Sequence, residues 1–209
     1  MQKSKRKTRD ILIKYIKQNK KEFMSVTIVF FIGILIGIVC INNLKEIQKL
    51  EIIEYIKNFI TGIKESNSID TIKLLKSTIA KNLITTLILW FVGLAVISMP
   101  IIYLIIAFRG FCLGYAISAV CATLGTWKGA GFVASGIFLQ NILFIPSMIA
   151  IGVSGIKLYN SIKTKKVSLK SEILRHSLFS IFILIFVILS SIIEIYVSSA
   201  LLTQYIKYL

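Results

Sequence analysis

FRGFCLGYAIS, residues 108–118, sets a single charge against a ladder of small residues, and its reading fixes where the apolar stretches divide. A cation inside hydrocarbon is costly, so Arg109 is placed in a tight turn. On that placement one membrane span covers 82–107 and the next covers 110–126. Beyond the turn, Gly110, Gly114, Ser118 and Ala122 recur every four residues and line one helix face. Gly33 and Gly37 repeat the spacing in an earlier apolar run. Small residues at this spacing let helix backbones approach closely, the usual basis of association in lipid. The partner face belongs either to this chain or to a second copy in a homo-oligomer.

Working outward, the apolar runs account for most of the 209 residues. The chain is 56% hydrophobic and 16% charged, with a mean hydropathy of +0.83. Soluble domains lie nearer about 45–50% apolar and about 25% charged. The composition therefore predicts an all-α polytopic membrane protein, one integral domain with spans at 24–41, 82–107, 110–126, 129–156 and 177–202. The net charge of +16 raises nucleic acid as a partner, but its placement excludes that. Lys3, Lys5, Arg6, Lys7, Arg9, Lys14, Lys17, Lys20 and Lys21 precede the first span, and a second basic group occupies 157–176. Basic segments beside spans fix topology and attract anionic lipid headgroups. They predict a cytoplasmic N-terminus (1–23), a cytoplasmic loop at 157–176, and an extracytoplasmic C-terminus in a cell membrane. Trp127, Tyr205 and Tyr208 then fall at the outer interface and Tyr159 at the inner one. No small-residue cleavage site follows the first apolar run, so a cleavable signal is not expected.

The sizeable extramembrane piece on this reading is 42–81. Leu44, Ile47, Leu50, Ile53, Ile56, Ile60 and Ile63 follow helical spacing between Lys and Glu, and Ile69, Ile72, Leu75 and Ile79 make a second, shorter pattern. Such a stripe either lies in the lipid interface or offers a docking surface to a partner.

Polar residues inside spans are the candidate sites. Gln140 and Asn141, followed by Pro146, interrupt FLQNILFIP (138–146). Gln140 shares a face with Gly136 and Ser147, and Asn141 with Ala130 and Ala134, so both amides project where another helix can approach. Pro146 frees the carbonyl of Ile142, which a nearby amide is placed to satisfy, predicting a kinked, polar-pinned helix. Glu194, on the face of Ser190, Ser191 and Ser198, lies near the outer boundary, where it snorkels to the interface or meets a partner. GVSG (152–155) resembles the serine motif of rhomboid proteases, and His176 is the chain's one histidine. The spacing places His176 in a basic loop at the start of a span, so Ser154 reads as a packing residue and His176 as a loop residue. Cys40, Cys112 and Cys121 make no metal-like pair, and no P-loop, HExxH motif or paired intramembrane carboxylate is present. No catalytic residue, metal or cofactor is expected.

Taken in order, FFIGILIGIV (30–39), NLITTLILWFVGLAVISMP (82–100), FRGFCLGYAIS (108–118) and LQNILFIPSM (139–148) resemble the stage II sporulation protein M family. The matched positions are Asn82, Trp90, Gly93, Pro100, Gly110, Gly114, Gln140, Asn141 and Pro146. The resemblance implies a non-enzymatic membrane scaffold at the sporulation septum. Its expected partners are two peptidoglycan hydrolases, an amidase/endopeptidase and a lytic transglycosylase, acting in forespore engulfment. The alternative is a permease-like or channel subunit of a transport complex.

Overall fold

The structure is a computed structural model that describes residues 17, 19–66, 71–95, 97–138, 141–164 and 169–208. Among these, every regular element is a helix: α1 (Lys20–Asn42), α2 (Glu46–Ser66), α3 (Thr71–Gly93), α4 (Ser98–Leu124) and α5 (Thr126–Phe132). A π-helical turn (Val133–Phe138), α6 (Phe144–Thr164) and α7 (Leu169–Lys207) follow. Four helices are long and apolar enough to cross a membrane: α1, α4, and the stretches Leu75–Gly93 of α3 and Leu169–Leu189 of α7. The segment 126–164 returns across the bundle in two pieces between α4 and α7.

The chain divides elsewhere than at Arg109. The predicted spans 82–107 and 110–126 are not the structural units. The first break falls after Gly93, and α4 runs unbroken through Arg109. Two local features set this break. Leu94 N–H donates to Phe91 and Ala95 N–H to Val92, tightening the end of α3. Pro100 then sits in the first turn of α4, where its missing N–H costs nothing, so it starts a helix instead of kinking one. The next turn is made by Gly125 at φ +81°, a conformation that suits glycine and ends α4 before Trp127.

Other boundaries also move. The amphipathic pattern from Ile69 to Ile79 is no separate surface helix, since α3 starts at Thr71 and continues into its span. The loop expected at 157–176 is mostly helical, because α6 extends to Thr164 and α7 begins at Leu169. The basic residues up to position 16 lie outside the described residues.

Two glycine ladders meet in one seam. A Cβ on Gly33 would strike the carbonyl of Ala107, and one on Gly37 the carbonyl of Phe111. Reciprocally, Gly110 lies on the carbonyl of Phe30 and Gly114 on that of Ile34. The partner face of both ladders is therefore this same chain, with α1 and α4 parallel. At one end the seam is tied by Ser25 Oγ and Tyr103 Oη at 2.8 Å. The ladder fades beyond Gly114: Ser118 is half-buried and Ala122 exposed, at the level where α1 ends at Asn42. There the last carbonyls of α1 receive the Asn43 amide on Val39 (2.9 Å) and Lys49 Nζ on Asn42 (3.0 Å).

The centre of the bundle is α6. Ile151, Gly152, Val153, Ser154, Gly155 and Ile156 are all buried, packed against Ile102 and Ile106 of α4, Leu89 of α3, and Ile183 and Val187 of α7. Gly152 meets Ile106 and Gly155 meets Ile102, so α6 runs antiparallel to α4. A helix enclosed by protein needs no continuous apolar surface, which is why α6 carries serines and glycines. The long α7 closes the bundle through spaced polar contacts. Asn82 Nδ2 donates to Ser191 Oγ (3.1 Å), and Ser198 Oγ donates to the carbonyl of Gly136 (3.0 Å). Replacing Asn82 by Leu should lower stability by about 0.6–2 kcal/mol, the range for buried interhelical amides. The check is the thermal midpoint of detergent-purified protein, with Ser191→Ala giving no further loss in the Asn82→Leu background.

Candidate functional site

Three places combine polarity with a location inside the bundle. The first is a node at one end, where α3, α6 and α7 meet. Gly93 and Gly155 bring their backbones together, and His176 fills the space beside them. His176 is 2% exposed, and its Nδ1 lies 2.9 Å from Ser154 Oγ. Its Nε2 lies 3.4 Å from the carbonyl of Trp90. A carbonyl can only accept, so Nε2 carries the hydrogen, and in the neutral ring Nδ1 accepts from the serine. The Trp90 indole N–H in turn donates to Ser177 Oγ at 3.3 Å. The sequence reading left Ser154 and His176 apart, with His176 in a loop. The structure corrects both points: α7 starts at Leu169, about two turns earlier than expected, and carries His176 into the bundle.

This pair has the contact of a serine and a base, but its surroundings are those of a clasp. Ser154 lies in the interior of α6, where neighbouring backbone N–H groups are engaged in the helix. Acyl-transfer chemistry needs donors aimed at a developing oxyanion, and a mid-helix serine has none to spare. Ser154 is 8% exposed, so no substrate carbonyl reaches it in this packing. The node joins three helices through one imidazole.

The second place is FLQNILFIP. Gln140 lies outside the described residues. Asn141 does not reach across to another helix as expected. Its Nδ2 donates to the carbonyl of Ile137 at 2.8 Å, one turn back on its own strand of the bundle. The carbonyl of Leu143 is taken by Ser147 Oγ at 2.8 Å. Pro146 lies in the first turn of α6, where it starts a helix, and Asn141 and Ser147 each bond a carbonyl four residues back on their own segment, beyond the π turn. Gly136 marks the π turn's contact with Leu202 and Ser198 of α7. Beside it an apolar crevice of about 400 Å³ opens towards α1 and α4, walled by Phe31, Ile117, Ile137, Phe138 and Pro146.

The third place is the residue that the sequence reading put in a turn. Arg109 is half-buried within α4, its guanidinium carbon 4.8 Å from the centroid of the Phe144 ring. A cation over an aromatic face gains about 0.5–2 kcal/mol, against about 2.5–3.5 kcal/mol for inserting arginine at mid-span. Arg109 also lines a crevice of about 470 Å³ between α3 and α4, with Thr85, Ile88, Leu104, Phe108 and Cys112.

Outside the bundle, α2 lies over the opposite end from the His176 node. Ile60 and Ile63 are buried with Val120, Phe132 and Ile206, and Ile56 packs against that cluster. Ile47 and Leu50 are instead 72% and 63% exposed. The expected single docking stripe is therefore two surfaces. Three-residue steps fall about 60° short of a full turn each time, so a run at that spacing winds around the helix. Leu44, which precedes α2, and Ile53 are half-buried. Glu194 lies within α7, with its side chain outside those described.

The family model for Stage II sporulation protein M matches residues 26–199, from within α1 to beyond Ser198 of α7. This chain belongs to that family. No match was found among curated proteins or among solved structures. Membership in the sporulation protein M family, with four apolar helices of spanning length, makes this a sporulation-related membrane protein. The matched region holds the glycine seam, the His176 node and the Arg109 crevice, and the family is not one of known enzymes. Among the described residues no cluster of His, Cys, Asp or Glu is arranged to hold a metal ion.

Proposed function

We propose that this protein is a membrane scaffold that recruits peptidoglycan hydrolases, an amidase/endopeptidase and a lytic transglycosylase, for septal wall thinning and forespore engulfment. The observation that carries the reading is the split surface of α2. Its C-terminal half is anchored on the bundle through Ile60 and Ile63, and its N-terminal half holds Ile47 and Leu50 out among charged residues. A helix fixed at one end and apolar at the other is suited to present a docking surface at the membrane face. The N-terminus then lies in the cytoplasm and α2 on the wall side, as the basic N-terminal residues favour. The bundle centre is filled by Ile102, Ile106, Met148, Ile151 and Ile156, which favours a scaffold over a transport pathway.

The test is co-purification of the two hydrolases from native sporulating membranes. Ile47→Asp with Leu50→Asp should reduce recovery of the hydrolases at least tenfold while the protein still inserts and elutes as wild type. Unchanged recovery would remove this surface from the mechanism. Ile60→Asp serves as the contrast, since it attacks the bundle itself and should lower the yield of folded protein.

A further inference from the structure

Beside the α1–α4 seam lies the apolar crevice of about 400 Å³. Phe31 and Ile34 of α1 form one wall, Leu113 and Ile117 of α4 a second, and Ile137 and Phe138 of the π turn a third. Its depth is that of hydrocarbon. α1 has 23 residues, about 34 Å at about 1.5 Å per residue, and Phe31 and Ile34 lie about 16–21 Å from Lys20. The crevice opens to the outside of the bundle, since Phe31, Phe138 and Ile142 on its rim are 58%, 60% and 50% exposed. Among the described residues Asn141 is the one polar side chain of the lining, and its Nδ2 is given to the carbonyl of Ile137.

An occupant of this crevice therefore meets apolar walls, with the single amide turned to its own backbone. A polar ligand would leave hydrogen-bonding groups unpaired there, which is costly. Walls with nothing against them forfeit their dispersion contacts, so the crevice favours an apolar filling. Two apolar bodies exist at this depth, a spanning helix of another protein and the acyl chain of a lipid. One 5.4 Å turn of a helix about 10–12 Å across occupies about 400–600 Å³, so the crevice admits one turn at most. An acyl chain is a thin rod that already lies at this level and carries no polar atom below its ester. We propose that the crevice seats one acyl chain of a membrane phospholipid, packed between the α1–α4 seam and the π turn. The chain braces the divided segment 126–164 against the seam. No residue of α2 lines this site, and its test is independent of the hydrolase co-purification.

The full chain is reconstituted in phosphatidylcholine vesicles that contain a phosphatidylcholine with a diazirine at the middle of one acyl chain. After irradiation, the labelled residues are located by peptide mass spectrometry. The controls are Ile32 of α1, between Phe31 and Ile34 in depth, and Phe182 of α7, which are 47% and 64% exposed and lie outside the crevice. Phe31 and Phe138 should be labelled at least fivefold more than either control. Ile117→Trp, which fills the crevice from α4, should bring that ratio to near unity and leave the labelling of the controls unchanged. The comparison within the unaltered chain needs no variant, so misfolding of Ile117→Trp does not leave the question open. Equal labelling of crevice and controls assigns the crevice to ordinary surrounding lipid and overturns the proposal, as does a ratio that survives in folded Ile117→Trp. Labelled controls with Phe31 and Phe138 unlabelled would mean that a protein surface covers the crevice, and this likewise overturns it.

Discussion

Gly114→Ile should break the α1–α4 seam and leave little folded protein. A side chain at this position meets the backbone of Ile34, with its Cα and carbonyl carbon at 2.8 Å, and backbone cannot swing aside as a flexible side chain can. Overpacking typically costs about 1–3 kcal/mol, and a clash with backbone belongs at or beyond the upper end. Gly33→Ile and Gly110→Ile meet the carbonyls of Ala107 and Phe30 and should behave alike. Because these residues form one continuous contact, combining two of them should add little to the loss from either. Gly62 supplies the contrast within the same chain. A Cβ there has nothing within 4 Å, and Gly62 lies in α2 away from the seam. Gly62→Ala should hold the wild-type midpoint or raise it slightly, as glycine is a poor helix former. The measurement is the thermal midpoint and monodisperse yield of each variant in detergent. A Gly114→Ile chain with the wild-type midpoint would show that α1 and α4 do not rest on each other there.

The glycine ladders were legible because the requirement is local: four-residue spacing puts small residues on one face, whatever lies opposite. What lay opposite was not legible, since the spacing is the same for a partner helix and for a second copy. The apolar runs likewise announced the membrane, and α1 spans nearly the residues expected of it. Arg109 misled because its cost was judged from sequence neighbours alone. The ring that faces it belongs to Phe144 on another helix, and nothing between them in sequence signals the contact. Pro100 held the better clue to the break, since proline is at ease in a first turn and disruptive inside a helix.

The candidate sites divide along the same line. Asn82 was noted as a position of the family resemblance and Ser191 only as a neighbour of Glu194, and the structure pairs the two. Asn141 was singled out for contact across helices, yet it serves a carbonyl on its own segment, because the π turn that exposes Ile137 has no sequence signature. On α2 the apolar residues were identified but treated as one face. The drift of a three-residue spacing was calculable, and it separates Ile47 and Leu50 from Ile60 and Ile63.

The node around His176 yields the second large effect, and it distinguishes a packing role from a catalytic one. A Cβ on Gly93 would lie 2.6 Å from His176 Nε2 and 3.2 Å from Gly155 Cα. Gly93→Ala should therefore drive the imidazole off Ser154 and cost about 1–3 kcal/mol. The nearest obstacle is a side chain, so removing it should relieve much of the strain. In a His176→Ala background, Gly93→Ala should cost markedly less, a coupling in the range of about 0.5–3 kcal/mol for residues in contact. Thermal midpoints of the four chains in detergent measure it. Ser154→Ala alone should cost less than Gly93→Ala, because it takes away one hydrogen bond without creating overlap, and the proposed hydrolase recruitment should survive it. Additive losses for Gly93→Ala and His176→Ala would mean that the imidazole does not occupy the space over Gly93. Loss of recruitment in a stably folded Ser154→Ala chain would mean that the hydroxyl acts on something beyond its neighbours. With both tests passed, Ser154 and His176 hold α3, α6 and α7 in register.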